Sequence, residues 1–261
     1  MDARDFYQEL GGDYDRMIAW ERRLAREEAF FRAVFAEHGV RRVLDAACGT
    51  GMHAVAFSRM GMRCAGADLS PAMIAQAGTN ARAAGVEVEL EVAGFGSIAG
   101  RFSGTFDAVT CLGNSLPHLL DDASLAAALS DFAALLRPSG VLVIQVRNYD
   151  RLLQQRQRFM PPASRADQSG ETIYLRITDF GTAGAGGADE TVGFTIVTLH
   201  RQEGAAWTQS VQSTTLRALR RSTLENALGA AGFRTVTSYG SYARTPADAP
   251  DAADLVTIAV K

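Results

Sequence analysis

A chain of 261 residues, 47% of them hydrophobic, can bury a substantial core and fits one large α/β domain carrying an insertion. A formal charge of −3 with a pI near 5.8 argues against the broad basic surface that tracking nucleic-acid phosphates requires, so a small-molecule substrate is expected and no nucleic-acid partner. The N-terminus, MDARDFYQEL, is charged from its second residue, and no stretch approaches the roughly twenty apolar residues of a membrane span, so a soluble, cytoplasmic protein without membrane association is expected. Cys48, Cys64 and Cys111 lie far apart without CxxC spacing, and neither a disulfide framework nor a bound metal is expected.

In chain order, Tyr14 to His38 sets Met17, Trp20, Leu24, Phe31, Val34 and Phe35 at mostly helical spacing, which predicts one or two amphipathic helices. The apolar strand RRVLDAA then runs into the glycine turn CGTG and the helix-like MHAVAFSRM, followed by a second strand, MRCAGAD, ending in Asp68. Ser70 and Pro71 start the next helix as N-cap and first helical residue, and it runs to about Gly85. VEVELEV, FDAVTCL and VLVIQV read as strands three to five, with the helix LAAALSDFAALLRPSG before the fifth closed by Pro138 and Gly140. This alternation predicts a Rossmann-like, seven-stranded, mostly parallel α/β sheet with helices on both faces. After strand five, ETIYLRITDF, TVGFTIVTLHR and WTQSVQSTTLRAL follow without an intervening helix and predict an inserted antiparallel segment, with GTAGAGGADE as a hairpin loop. The helix-like STLENALGAAGF and the strands RTVTSYG and LVTIAVK complete the main sheet.

A glycine turn between a strand and a helix exposes backbone N–H groups and lets a ligand approach the main chain. GTGMHA also satisfies the loose dinucleotide pattern GxGxxA, and Asp68 stands where a carboxylate receives a ribose diol, so a nicotinamide enzyme has to be weighed. Asp45, at the tip of strand one, separates the readings. Dinucleotide folds keep that tip apolar, whereas acids on both sides of the turn suit a ligand with an amino group and a ribose and no pyrophosphate.

VLDAACGTG, ADLSPAMI, FDAVTC and LLRPSGVLVI, in this order over Val43 to Val146, resemble the successive motifs of class I S-adenosylmethionine-dependent methyltransferases. The resemblance implies S-adenosylmethionine as cofactor, with Ala47, Gly49 and Gly51 on its methionine part, Asp68 on the ribose, Leu69 and Met73 on the adenine face, and Phe95 and Leu112 nearby. CLGNSLPHLLDD, VRNYD and YDRMIAWERR are similar to segments of the glycine and glycine/sarcosine N-methyltransferases. That likeness implies an N-terminal helix folded over the cofactor, with Tyr14 and Trp20 lining the cleft and Arg23 on the cofactor carboxylate. It also implies Asn114 and Arg147 on the substrate carboxylate and His118 near the amine. His118 and Arg147 are the candidate catalytic residues, and Tyr174, Tyr239 and Tyr242 are candidates to line the substrate pocket.

Val146 and Pro117 stand where that family usually has His and Ala, so another amino acid is an alternative acceptor, as is N- or O-methylation of another small molecule such as an amino sugar or secondary metabolite. A non-catalytic cofactor-binding module is the alternative from another class, and the oligomeric state is left open. The organisation expected is a helical cap over 1–38, a cofactor-binding core over 39–150, an inserted substrate or lid segment over 151–221 and a C-terminal completion of the core sheet over 222–261.

Overall fold

The strands at the centre of the molecule are apolar without alternation because helices cover both of their faces. In the computed structural model, which describes residues 3–10, 13–181 and 190–261, the main sheet contains β1 (Arg42–Ala46), β2 (Arg63–Asp68), β3 (Val88–Val92), β4 (Phe106–Cys111), β5 (Leu136–Arg147), β10 (Thr235–Tyr239) and β11 (Asp254–Val260). Their order is β10-β11-β5-β4-β1-β2-β3, and only β11 runs antiparallel to its neighbours. This is the expected seven-stranded Rossmann-like sheet. Successive residues divide between its faces. Val43, Ala108 and Val143 pack with Phe31 and Phe35 of α3 (Trp20–Glu37) and Phe57 of α4 (Met52–Arg59). Leu44, Val109 and Ile144 pack with Leu125 and Phe132 of α6 (Asp122–Leu135) and Leu224 of α8 (Arg221–Ala230).

Local chemistry sets several element ends. Ser70 Oγ accepts from Met73 N at 3.4 Å, Pro71 opens α5 (Pro71–Ala84), and Gly85 closes it in the left-handed conformation at φ 68°. The helix before β5 ends sooner than expected. It stops at Leu135, and Leu136 already pairs with Phe106, while Val141 pairs with Ala108, so the RPSG stretch is an irregularity inside β5 and not a helix end.

The inserted segment is a separate antiparallel sheet, β6 (Ala163–Asp167), β7 (Gly170–Phe180), β8 (Thr191–Arg201) and β9 (Thr208–Arg217), in sequence order. The first of these strands was not expected, and neither were α1 (Ala3–Leu10) and α7 (Tyr149–Gln155), which Asn148 caps by accepting from Arg151 N at 3.2 Å. Residues 182–189 of the expected hairpin loop lie outside the described residues.

The N-terminal elements α1, α2 (Asp13–Met17) and α3 bridge the two sheets. Phe6, Leu10 and Met17 pack with Tyr174 of β7 and Ile196 of β8. Arg16 Nη2 pairs with Asp167 Oδ2, at the end of β6, at 2.8 Å. The neighbouring residue, Asp15, faces the other way and bonds the main domain.

Candidate active site

The turn after β1 is shaped by backbone strain and one carboxylate. Ala47 and Gly49 sit at φ 60° and 54°, in the left-handed region, which for a non-glycine residue such as Ala47 costs roughly 1–2 kcal/mol. Asp68, at the end of β2, holds the turn by accepting Gly49 N at Oδ2 and Ser70 N at Oδ1, both at 2.9 Å. Burial pushes this carboxyl above its ordinary range, and the two backbone donors act against that rise.

Beyond the turn, at the C-terminal ends of the strands, lies a cavity of about 300 Å³. Asp45, Ala47, Gly49 and Asp68 form its floor, Leu69, Met73, Phe95 and Leu112 supply an apolar wall, and Tyr14, Trp20 and Arg23 come from the N-terminal elements. Asp45 is buried at 2% exposure. Its Oδ1 accepts from Thr110 Oγ1 at 2.8 Å, and its Oδ2 has no partner. A buried acceptor left open costs on the order of 1–3 kcal/mol, which a cationic donor bound in the cavity would offset.

The N-terminal wall is held by ionic networks. Asp15 accepts from Trp20 Nε1 at 2.7 Å, from Thr50 Oγ1 at 2.5 Å and from Asn80 Nδ2 at 3.2 Å, tying the wall to the glycine turn and to α5. Glu27, 2% exposed, lies 2.8 Å from Arg23 Nε and 2.7 Å from His53 Nε2. Burial alone would raise the Glu27 pKa, but the bonds from His53 and Arg23 lower it on balance. Arg23 also stacks over the Trp20 ring at 5.3 Å.

A second cavity, of about 690 Å³, lies between the main sheet and the inserted one. It shares Tyr7, Tyr14, Arg23, Gly113 and His118 with the first, so the two cavities meet at these residues. Tyr7 Oη and His118 Nε2 are 3.2 Å apart, and burial pushes the His118 pKa down to about 4, leaving the imidazole neutral at pH 7. Arg147, the last residue of β5, donates from Nη1 to Thr178 Oγ1 at 3.1 Å and has no carboxylate at ion-pair distance among the described residues. Burial lowers its pKa.

Residues 43–140 match the family described as a methyltransferase domain. A glycine/sarcosine N-methyltransferase of Parasynechococcus marenigrum is 32% identical over 247 residues, covering 92% of this chain and 80% of the relative. The chain belongs to this methyltransferase family. Among solved structures, an S-adenosylmethionine-dependent methyltransferase from Clostridium acetobutylicum superposes with a TM-score of 0.78 at 18% identity, over 97% of this chain and 98% of that one. The sugar N-methyltransferase KedS8 from a Streptoalloteichus species gives 0.72 at 24% identity, over 97% and 94%. The protein is thus an S-adenosylmethionine-dependent methyltransferase acting on a small molecule. Among its described residues no helix is long and apolar enough to cross a membrane.

In this methyltransferase three expected site residues lie elsewhere. Gly51 does not line the cavity. Its φ of 76° and the 2.8 Å that would separate an added Cβ from Ala77 Cβ make it the packing point of α4 on α5. Tyr174, fully buried, is part of the cluster that seats α1 and α2, and lines neither cavity. Tyr239 stands on the outer strand β10 with its ring 5.9 Å from the Arg244 guanidinium, also away from both. Tyr242 does line the larger cavity, beside Phe30 and Phe31. Asn114 lines it as well, but its amide is engaged inside the fold: Oδ1 accepts from Arg147 N at 2.9 Å and Nδ2 donates to Tyr149 Oη at 3.0 Å.

Residues at the site that were not anticipated include Tyr7, Asp15, Glu27 and Arg176. Tyr7 lies in a helix that the Phe6–Leu10 spacing could have signalled. His53 also lines the first cavity, while bonded to Glu27.

Proposed function

We propose that the methyltransferase N-methylates a small amino acid of glycine or sarcosine type. The observation that carries this is Arg147, a half-buried guanidinium held by Thr178, lining the larger cavity with no carboxylate at ion-pair distance among the described residues. A planar fork in that state recognises a carboxylate with two parallel hydrogen bonds. The glycine/sarcosine activity named for the relative from Parasynechococcus marenigrum supports the same acceptor class.

The first cavity fits the cofactor on the structure's own terms. Asp45 Oδ2, buried and open, suits its amino group, Arg23 suits its carboxylate, Asp68 retains acceptor capacity for the ribose, and Leu69, Met73 and Phe95 suit the adenine faces. When bound, S-adenosylmethionine supplies an activated methyl whose bond to sulfur breaks as the acceptor nitrogen forms its bond to carbon. The residues of the chain then have mainly to align and enclose. Arg147 holds the acceptor carboxylate, and Asn114 fixes the Arg147 backbone from below. Tyr7, Tyr14 and His118 line the junction of the cavities, where the amine must sit. A histidine with a pKa near 4 is a poor base at neutral pH, so His118 acts by accepting a hydrogen bond, and the amine gives up its proton to water on the way in. The N-terminal elements close over the junction and exclude solvent.

The test is Arg147→Met, followed by S-adenosylhomocysteine production. Cofactor affinity stays near wild type, and kcat/KM for an amino acid falls by roughly a hundredfold, about 3 kcal/mol. If wild type methylates a carboxylate-free amine well and Arg147→Met is equally active on it, the amino-acid reading fails.

A further inference from the structure

The inserted sheet buries one of its two faces. Residues paired across β7, β8 and β9 share a side, and Tyr174, Ile196 and Leu216 turn theirs to the N-terminal helices and the main core. The opposite side carries Ile173, Leu175, Ile177, Val197, Leu199 and Val211. Leu175, Val197 and Val211 form one continuous row across the three strands, and Phe159 extends the row of Ile177 through an antiparallel bridge. None of these residues belongs to the apolar clusters of the described residues, and none lines either cavity of the site. Val211 is 54% exposed and Phe159 59%. A monomer rarely presents so continuous an apolar surface to water.

The rim of this face is charged and balanced. At one end Glu171 pairs with Arg201 at 3.0 Å, and Arg201 stacks on Trp207 at 4.5 Å. At the other end Asp179 pairs with Arg158, which stacks on Phe159. An apolar centre inside a rim of arginines, aromatic rings and paired acids is the composition of a protein interface. A lipid surface calls for a rim of one positive sign, and here acids offset the arginines. Because each end carries both signs, a second copy can set arginine against acid whichever way its strands run. The strands β7 and β8 have 11 residues each and β9 has 10. At about 3.3 Å per residue and 4.8 Å between strands, the face spans roughly 600 Å² per copy. Two copies then bury on the order of 1,200 Å², the lower edge of what specific interfaces bury.

We propose that the outer face of the inserted sheet is the interface of a homodimer, in which two copies stack these sheets face to face about a two-fold axis. The inner face of the same sheet carries Thr178, which holds Arg147, so the second copy backs the acceptor chamber without entering it. The dimer is independent of which acceptor the chamber takes.

Sedimentation equilibrium of the full chain, from about 1 to 100 μM, tests this. Wild type is expected at twice its chain mass of 27.9 kDa. The expected dissociation constant is about 10 μM or tighter. Val211→Lys sets a charge into the apolar centre of both copies and raises that constant at least about a hundredfold, and Leu175→Glu does the same. Val92→Lys, at an exposed apolar residue of the edge strand β3, leaves it unchanged. A monomer at every concentration overturns the proposal. So does a dimer that Val211→Lys and Leu175→Glu both leave intact, since another face then joins the copies. A monomer that co-sediments with phosphatidylserine vesicles assigns the face to lipid and overturns it too. Should Leu175→Glu not fold, Val211→Lys decides alone, because its side chain is half-exposed and outside the core clusters. Calorimetric binding of S-adenosylhomocysteine verifies that this variant is folded.

Discussion

Replacing Asp15 by Ala removes one acceptor from three donors at once: Trp20 Nε1 at 2.7 Å, Thr50 Oγ1 at 2.5 Å and Asn80 Nδ2 at 3.2 Å. Each bond to a charged acceptor is worth about 1.5–3 kcal/mol, but bonds that share one carboxylate do not add, and the site is half-exposed. A total near 3 kcal/mol is therefore the expected loss. It falls on the docking of α2 and the start of α3, not on the main sheet, because Asp15 lies outside the apolar clusters. Tyr14, Trp20 and Arg23 reach the cofactor cavity only when this segment is docked. Apparent cofactor affinity then falls with the docked fraction, by up to roughly a hundredfold, while the Phe6, Leu10 and Met17 contacts and the Arg16–Asp167 pair limit the effect. Calorimetry with S-adenosylhomocysteine measures the affinity, and hydrogen exchange over residues 13–37 measures the docking. An unchanged affinity together with unchanged protection would refute the latch.

Asp68→Ala is expected to weaken cofactor binding roughly tenfold to a hundredfold, and also to lower Tm, because Gly49 N and Ser70 N lose their acceptor. Unaltered affinity in a folded variant removes the ribose role, and an unaltered Tm removes the turn-holding role. The His118 pKa is depressed from 6.5 to about 4 in the folded chain, so the unfolded chain binds this proton first as pH falls. Its contribution is whole above pH 6.5 and is lost between there and about 4, amounting to on the order of 3 kcal/mol. Urea unfolding of wild type and His118→Gln at pH 7.5 and 4.5 checks the sign. Equal losses in both proteins would assign the acid sensitivity to other groups.

The main sheet was legible because its signals are local. Apolar runs, the Ser70–Pro71 helix start and the acids at Asp45 and Asp68 are each settled within one strand–turn–helix unit, and their order dictates the parallel sheet. The inserted strands were legible in kind, but β6 was missed. Its sequence, ASRAD, is polar and becomes a strand only through pairing with β7. The same limit explains Tyr174 and Tyr239. Alternation within a strand gives a residue's face, but not what covers that face. The polar inner face of β7, Thr172, Tyr174, Arg176 and Thr178, lies against the N-terminal cluster at Tyr174 and against the acceptor cavity at Arg176.

What the sequence determined by itself is the cofactor floor, because its residues are neighbours along two adjacent strands and one glycine turn. What only the tertiary structure decided is the roof and the acceptor chamber. Tyr7 meets His118 across 111 positions, Asp15 meets Asn80 across 65, and Arg147 meets Thr178 across 31. None of these pairs shares a periodic element, so no local pattern announces them. They form when the helical N-terminus and the inserted sheet bury their apolar faces on each other, and that burial carries the polar groups between them to the mouth of the main sheet.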